Sequence, residues 1–366
     1  MDEADLNRWL AALAELDGSD LHIKSGSPPR LRVNGQLGVL RDEAELKAED
    51  AETIAAQVMS PKASDAFAER MEVDFAYSVS GLGRFRVNAY RQRGTVAMAF
   101  RRIRQSSASI EELGLPQVVA RLADEQRGMV LVTGPTGSGK STTLATMIDR
   151  INHSRACHVI TIEDPIEFLH RDHLATIDQR EVGLDTSSFH SAMRVVLRQD
   201  PDVILVGEMR DQETVHAAIT AAETGHLVFS TLHTTNATET INRVVDFFPP
   251  HQQKQVRVSL AGSLKGTIGQ RLVATADGKG RVPAVEAMVV NGRIQQCITD
   301  PDKTSDIEEI IATGEYYGMK TFDQSLADLI AEHKVDLRNA MSAASNPHDL
   351  RVLLERRGVL KTGQRA

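Results

Sequence analysis

One uninterrupted stretch carries the clearest chemistry. Gly134, Pro135, Thr136, Gly137, Ser138, Gly139, Lys140 and Ser141 fit the phosphate-binding pattern G-x-x-x-x-G-K-[ST]. Glycines at these spacings let backbone N–H groups close around phosphate oxygens, and a following helix adds its positive end. Lys140 is placed to reach the β- and γ-phosphates and Ser141 to bind Mg²⁺, with Thr142 extending the set. Such a loop needs a carboxylate beside the metal and a group that orients or deprotonates water. Two acidic clusters offer them. Glu163, Asp164 and Glu167 lie in ITIEDPIEF, and Glu208 and Asp211 lie in VILVGEMRD. Glu208 stands where Asp is the commoner metal-side residue, and its longer side chain implies a water-mediated contact with the metal. That leaves Glu163 as the better candidate for the base. Asp164 and Glu208 join Ser141 as candidate metal-side groups. Glu167 and Asp211 are equally readable as loop caps.

Both clusters and the loop sit where elements change. MVLVT at 129–133 reads as a buried strand before the loop, and STTLATMIDRIN as the helix after it. VITI, VILV and LVFST are further apolar, β-branched runs separated by helical stretches. Alternation of this kind predicts a mostly parallel sheet covered on both faces. Ligands in such sheets bind beyond the carboxyl ends of the strands, where the acidic clusters fall. The N-terminal part is different. Residues 4–16 have helical spacing and short strands follow around Asn34-Gly35, a hairpin signal. Residues 48–70 read as helix, and 73–79 and 84–103 as strands. This predicts an α+β domain over residues 1–104, a connector over 105–116 and a second domain over 117–366. From about residue 250 the pattern reads mainly helical, ending in a helix that Asn346 and Asp349 can cap.

The length of 366 residues suits two domains or three, and 41% hydrophobic with 25% charged residues suits a soluble globular chain. Two cysteines, Cys157 and Cys297, exclude a four-thiolate zinc site and a disulfide framework, and fit a reducing compartment. The net charge of -8 argues against electrostatic nucleic-acid binding, and no nucleic-acid partner is expected. The acidic, amphipathic start is unlike a signal peptide, and no run of about 18 apolar residues exists to cross a membrane. The expected location is the cytoplasm.

The motifs together resemble a known family. LRQDPDVILVGEMRD is similar to the signature of type II/IV secretion ATPases, ITIEDPIEF to their Asp box and TGHLVFSTLHT to their His box. SDLHIKSGSPPRLRVNGQL, GRFRVNAYRQRG, FFPPHQQKQVRVSL, GQRLV and YGMKTFDQSL resemble the pilus-retraction (PilT) subfamily. The resemblance implies an α/β protein with an N-terminal PAS-like α+β domain, then a RecA-like P-loop ATPase domain with a helical C-terminal part. It also implies ATP and Mg²⁺ as ligand and cofactor, and a homohexamer. Hydrolysis would power pilus disassembly and twitching motility. An inner-membrane platform protein and a paralogous motor ATPase are the implied partners, at the inner face of the cytoplasmic membrane. His226 and His233 fall at the His-box positions, His226 among the nucleotide-binding residues and His233 nearer the γ-phosphate.

Residues 84–104 hold seven arginines, at 84, 86, 91, 93, 101, 102 and 104, and no acid. In RFRVNAY, Arg84 and Arg86 share one strand face while Phe85 and Val87 take the other. The strip reads as a solvated face, a surface for acidic partners, or charge supplied to the phosphates of a neighbouring site. Arginines of the last kind contribute roughly 10³ to 10⁵ in rate. The resemblance favours that use for Arg84, Arg86 and Arg91, with Arg102 and Arg104 behind them. Extension relatives carry a four-cysteine zinc motif that this chain lacks, which favours retraction. Against it, the alanine-isoleucine-arginine-asparagine-leucine-type motif of retraction motors is not recognisable between Asn291 and Glu315. An accessory paralogue of a retraction motor, or a protein- or DNA-translocating ATPase, therefore stays open.

Overall fold

Leu6, Trp9, Leu10 and Leu13 recur at helical spacing and are fully buried along α1 (Glu3–Glu15), which Asp2 caps by accepting from the Ala4 and Asp5 amides. The structure, a computed structural model, describes residues 1–105 and 108–360, without the side chains of residues 104 and 105. Contacts divide the chain into Met1–Gln105 and Ser106–Ala366. The Arg104 side chain and residues 106–107 of the expected connector lie outside the described residues.

The first unit is built on β1 (Asp20–Lys24), β2 (Arg30–Val33), β3 (Gln36–Val39), β4 (Glu72–Val79), β5 (Gly83–Gln92) and β6 (Thr95–Arg102). They form an antiparallel sheet in the order β3-β2-β1-β6-β5-β4. The helix expected over 48–70 is two, α2 (Ala48–Val58) and α3 (Pro61–Arg70). Ser60 has extended backbone and caps α3 by accepting from the Ala63 amide, and Pro61 cannot continue the preceding helix. Phe85, Val87 and Ala89 of β5 join α1–α3 in one buried core.

The second unit carries β7 (Gly128–Thr133), β8 (His158–Glu163), β9 (Thr176–Glu181), β10 (Val203–Val206), β11 (Leu227–Leu232), β12 (Leu264–Ala274) and β13 (Arg281–Val289). The sheet order is β9-β8-β10-β11-β7-β12-β13, parallel except for the antiparallel β12–β13 pair. β7 and β10 are buried at every position, as a sheet covered on both faces requires. Its helices are α4 (Gln117–Ala123), α5 (Lys140–Ser154), α6 (Phe189–Val196), α7 (Gln212–Glu223), α8 (Ala237–Asp246) and α9 (Pro250–Ser263). The reading of mainly helix beyond residue 250 is corrected here by the long β12–β13 hairpin. Helices resume with α10 (Gly292–Thr299), α11 (Ile307–Ala312), α12 (Phe322–Ala331), α13 (Leu337–Ala343) and α14 (Pro347–Arg356). Asn346 caps α14. Ile110 and Leu115, from the expected connector, are buried in the core that α4 and α5 make with the sheet. One outer strand, β9, bears Asp178, Arg180 and Glu181; the other, β13, contains Pro283 and is bridged at Ala287 by Lys320. Among the described residues no helix is long and apolar enough to cross a membrane.

Candidate functional site: a phosphate-binding cleft at the strand ends

The carboxyl end of β7 turns sharply into α5. Gly134 has φ 139°, and a Cβ there would come within 2.4 Å of the Gln270 carbonyl oxygen on β12 and 2.7 Å of Ser138 Oγ. No side-chain-bearing residue fits. Gly137 and Gly139 also have positive φ and complete the turn. Lys140 Nζ donates to the carbonyls of Gly134 at 2.8 Å and Pro135 at 3.1 Å, closing the loop on itself. Burial lowers the Lys140 pKa, and the carboxylates of Glu208 and Glu167 act against that shift.

Two observations test the loop against a phosphate ligand. α5 begins after Gly139 with no side-chain cap, so its first amides are left for an outside acceptor. Ser138 Oγ is buried without a hydrogen-bond partner. Both fit an anion. The metal fits too: Mg²⁺ is usually held by one or two carboxylates plus substrate phosphates rather than by a protein cage. Among the described residues no cluster of three His, Cys, Asp or Glu side chains forms such a cage.

The acidic groups come from neighbouring strands. Glu163 ends β8. Its Oε1 accepts from Thr161 Oγ1 at 2.6 Å and from Gln179 Nε2 of β9 at 3.2 Å. Burial pushes its carboxyl pKa up, and the Thr161 and Gln179 hydrogen bonds hold it down. Glu208 follows β10. Arg210 Nε donates to its Oε2 at 2.9 Å, and its Oε1 lies 3.4 Å from His233 Nε2. Arg210 also reaches Asp164 at 3.5 Å, and its guanidinium pKa is raised chiefly by the bond to Glu208. Between the phosphate-loop strand and β10 runs β11. Its Ser230 and Thr231 hydroxyls donate to the carbonyls of Val206 and Gly207, each at 2.7 Å, and so tie β11 to the strand end that carries Glu208.

These groups surround a cleft of about 520 Å³. Thr136, Gly137, Gly139, Lys140, Ser141, Thr142, Glu163, Asp164, Glu208 and His233 all line it, and Glu167 does as well. Gly134, Pro135 and Ser138 form the loop behind. Asp211 instead caps α7, accepting from the Thr214 amide at 2.7 Å.

His226 requires a correction. It precedes β11 at the amino end of the strand, whereas His233 follows the carboxyl end. Its Nδ1 lies 3.0 Å from the Ala221 carbonyl at the end of α7 and 3.3 Å from Thr224 Oγ1. Six strand residues at about 3.3 Å each separate the two histidines, so His226 is remote from the phosphate loop of its own unit. The arginines belong to the first unit and do not act as one group there. Arg84 and Arg86 lie on the outer face of β5, and Arg86 is 3.8 Å from Asp74. Arg91 falls on the helix-side parity of the same strand. It bonds Glu52 at 2.8 Å and stacks 5.4 Å from the Phe67 ring centroid.

The sequence reading passed over Thr161, His170, Arg210 and Arg281, which line the cleft, and Gln179, which bonds Glu163 from the neighbouring strand. Arg210 sits inside the acidic motif two residues after Glu208, which is the signal that was available.

A strand, a glycine loop closed by lysine, and carboxylates on adjacent strand ends of a mixed, mostly parallel sheet define a P-loop nucleotide triphosphatase of RecA-like fold. The class narrows further by comparison. The sequence profile of the type II/IV secretion system protein family matches residues 3–347, and the chain belongs to that family. It is 45% identical to the type IV pilus retraction ATPase PilT of Pseudomonas aeruginosa, over 94% of this chain and 99% of that one. It is 39% identical to the type IV pilus ATPase PilU of the same organism, over 96% of this chain and 91% of that one. A crystal structure of the pilus retraction motor PilT with bound ADP superimposes with a TM-score of 0.87 at 43% identity, covering 96% of this chain and 99% of that chain. The Legionella pneumophila ATPase DotB gives 0.75 at 27% identity, covering 93% of this chain and 95% of that one.

Proposed function

We propose that this chain is a Mg²⁺-dependent ATPase that powers type IV pilus retraction as a ring of six copies. In this reading it works at the cytoplasmic face of the inner membrane, against a platform protein, with a paralogous motor as a further partner. The observation that carries the reading is the cleft: a lysine-closed phosphate loop and two strand-end glutamates in a chain similar to PilT along nearly its whole length.

ATP is the substrate. The loop amides and Lys140 hold its phosphates, and Ser141, Asp164 and Glu208 are the residues that would hold Mg²⁺. The metal's contribution is to neutralise charge developing on the transferred phosphoryl group. Glu163 receives the proton of the attacking water, because its burial favours the protonated form and the bonds to Thr161 and Gln179 fix the carboxyl at the cleft wall. His233 orients Glu208 across 3.4 Å. Arg86, exposed on the sheet face of the first unit, and the half-buried Arg84 on the same face supply positive charge to the phosphates of a neighbouring copy. Movement between the two units then converts hydrolysis into force.

The test is an ATPase assay paired with size measurement, with and without nucleotide. Wild-type protein hydrolyses ATP, stops on chelation of Mg²⁺ and sediments as a hexamer; Lys140→Ala loses hydrolysis. A monomer without hydrolysis overturns the reading. Deletion of the gene in its host is expected to leave long pili that do not retract. Normal pili with lost secretion or conjugation would place the chain with other cargo. The unrecognisable motif between Asn291 and Glu315 supports an accessory role as the second reading; retraction that persists in the deletion strain selects it.

A further inference from the structure

Glu163 ends its strand on a flexible three-torsion side chain, yet its Oε1 is held by two donors. Thr161 and Gln179 stand directly opposite each other across the parallel β8–β9 pairing. Thr161 donates at 2.6 Å and Gln179 at 3.2 Å to the same oxygen, and Oε2 takes neither bond. Gln179 uses its whole amide. Nε2 also donates to the Phe168 carbonyl at 2.8 Å, and Oε1 accepts from the His170 amide at 2.9 Å. Phe168 and His170 both line the cleft. One side chain therefore ties the strand-end carboxylate to the loop that walls the site, and it does so from outside the acidic motif.

We propose that Gln179 is a positioning residue for hydrolysis. It fixes the rotamer of Glu163, and it sets the distance between that carboxylate and the loop through residues 164–170. The proposal rests on the assignment of Glu163 as base. Positioning of this kind is worth much in rate, because a misplacement of about 1 Å can cost roughly a hundredfold. Thr161 holds the same oxygen from within β8, so losing either donor removes one of the two side-chain bonds that fix the Glu163 rotamer.

Four variants decide the matter by single-turnover and steady-state ATP hydrolysis: Gln179→Met, Thr161→Val, Glu163→Gln, and Gln179→Met combined with Glu163→Gln. The expected result is a fall in kcat of about ten- to hundredfold for each donor variant, with KM within about twofold of wild type. In the Glu163→Gln background, Gln179→Met changes the residual rate by less than about twofold, since the group it positions no longer acts. A merely structural role instead raises KM together with the loss of kcat, or multiplies through in the double variant, and either result overturns the proposal. Thr161→Val keeps the question decidable if Gln179→Met does not fold. Full turnover by Glu163→Gln overturns the base assignment, and the proposal falls with it. Lost turnover in Glu163→Gln beside unchanged kcat in both donor variants overturns the proposal alone.

Discussion

Glu286 is 5% exposed on β13, and its Oε1 accepts from the amide of Ala237, the first residue of α8, at 2.7 Å. Burial pushes its carboxyl up to about 7; the Ala237 hydrogen bond and Arg271 pull it down, while Glu308 and Asp323 add to the rise. Against an ordinary value of 4.5, ionising it inside the fold costs about 3 kcal/mol more than ionising it in the unfolded chain. The sign follows from the raised value. The native protein binds this proton more tightly, so the associated stability is fully present below about pH 4.5 and is lost as pH rises through about 7. Glu286→Gln keeps an acceptor for the Ala237 amide and removes the charge. Its new N–H groups, if unpaired, add a cost of about 1–3 kcal/mol that does not vary with pH. The test is therefore the slope. Between pH 4.5 and 8 the variant gains about 3 kcal/mol relative to wild type, or roughly 6–12 °C in the melting temperature of its unit. Trp9 is the chain's only tryptophan and lies in the first unit, so its fluorescence follows that unit. The remaining far-UV circular-dichroism transition follows the second. Parallel pH curves for wild type and variant would refute the reasoning, because they would mean that Glu286 is ionised without cost.

The glycines of the phosphate loop are expected to differ. Gly134→Ala combines backbone strain of about 1–3 kcal/mol with the approach to Gln270, so it costs several kcal/mol and abolishes nucleotide binding. Gly137→Ala has open space around it and costs only about 1–2 kcal/mol; denaturant titrations and nucleotide affinity of the pair check this, and equal costs would contradict it. Arg86→Ala is expected to lower turnover by roughly 10³-fold or more at nearly unchanged nucleotide affinity, and equal loss of both would indicate a folding defect. Arg91→Ala is expected to keep turnover and lose up to about 1 kcal/mol of first-unit stability with its Phe67 contact, read by Trp9 fluorescence.

What could be read from the sequence was whatever has a local cause. The phosphate loop is specified by glycine spacing between an apolar strand and a helix, and β7, β10 and β11 by continuous β-branched runs. The β12–β13 hairpin escaped because β12 contains Gly266 and Gly269, which weaken a strand pattern. They stand there for a tertiary reason. A Cβ at 266 would come within 2.5 Å of the Met288 carbonyl and one at 269 within 3.0 Å of the Phe322 ring. The break at Ser60-Pro61 was visible as a cap and was overrun by the helical periodicity on either side. His226 shows the limit of a motif: the family resemblance put it among the nucleotide-binding residues with His233, and strand direction puts it at the other end of β11. Gln179 had no local signal, since its role comes from the pairing of β9 with β8.

The outer strands of the seven-stranded sheet have a consequence for self-association. An exposed strand edge is a template for another chain, and long apolar edges invite aggregation. Here β9 exposes Asp178, and its Ile177 and Glu181 amides already donate to the side chains of Asp172 and Asp185. On β13, Pro283 has no N–H to offer, and the Ala287 amide and carbonyl are both bonded to Lys320. Occupied backbone groups discourage strand addition at both margins, helped by an exposed charge at one and a proline at the other. Copies of the chain at high local concentration are thereby discouraged from joining edge to edge through this sheet. Continuous β-pairing, once made, would not release.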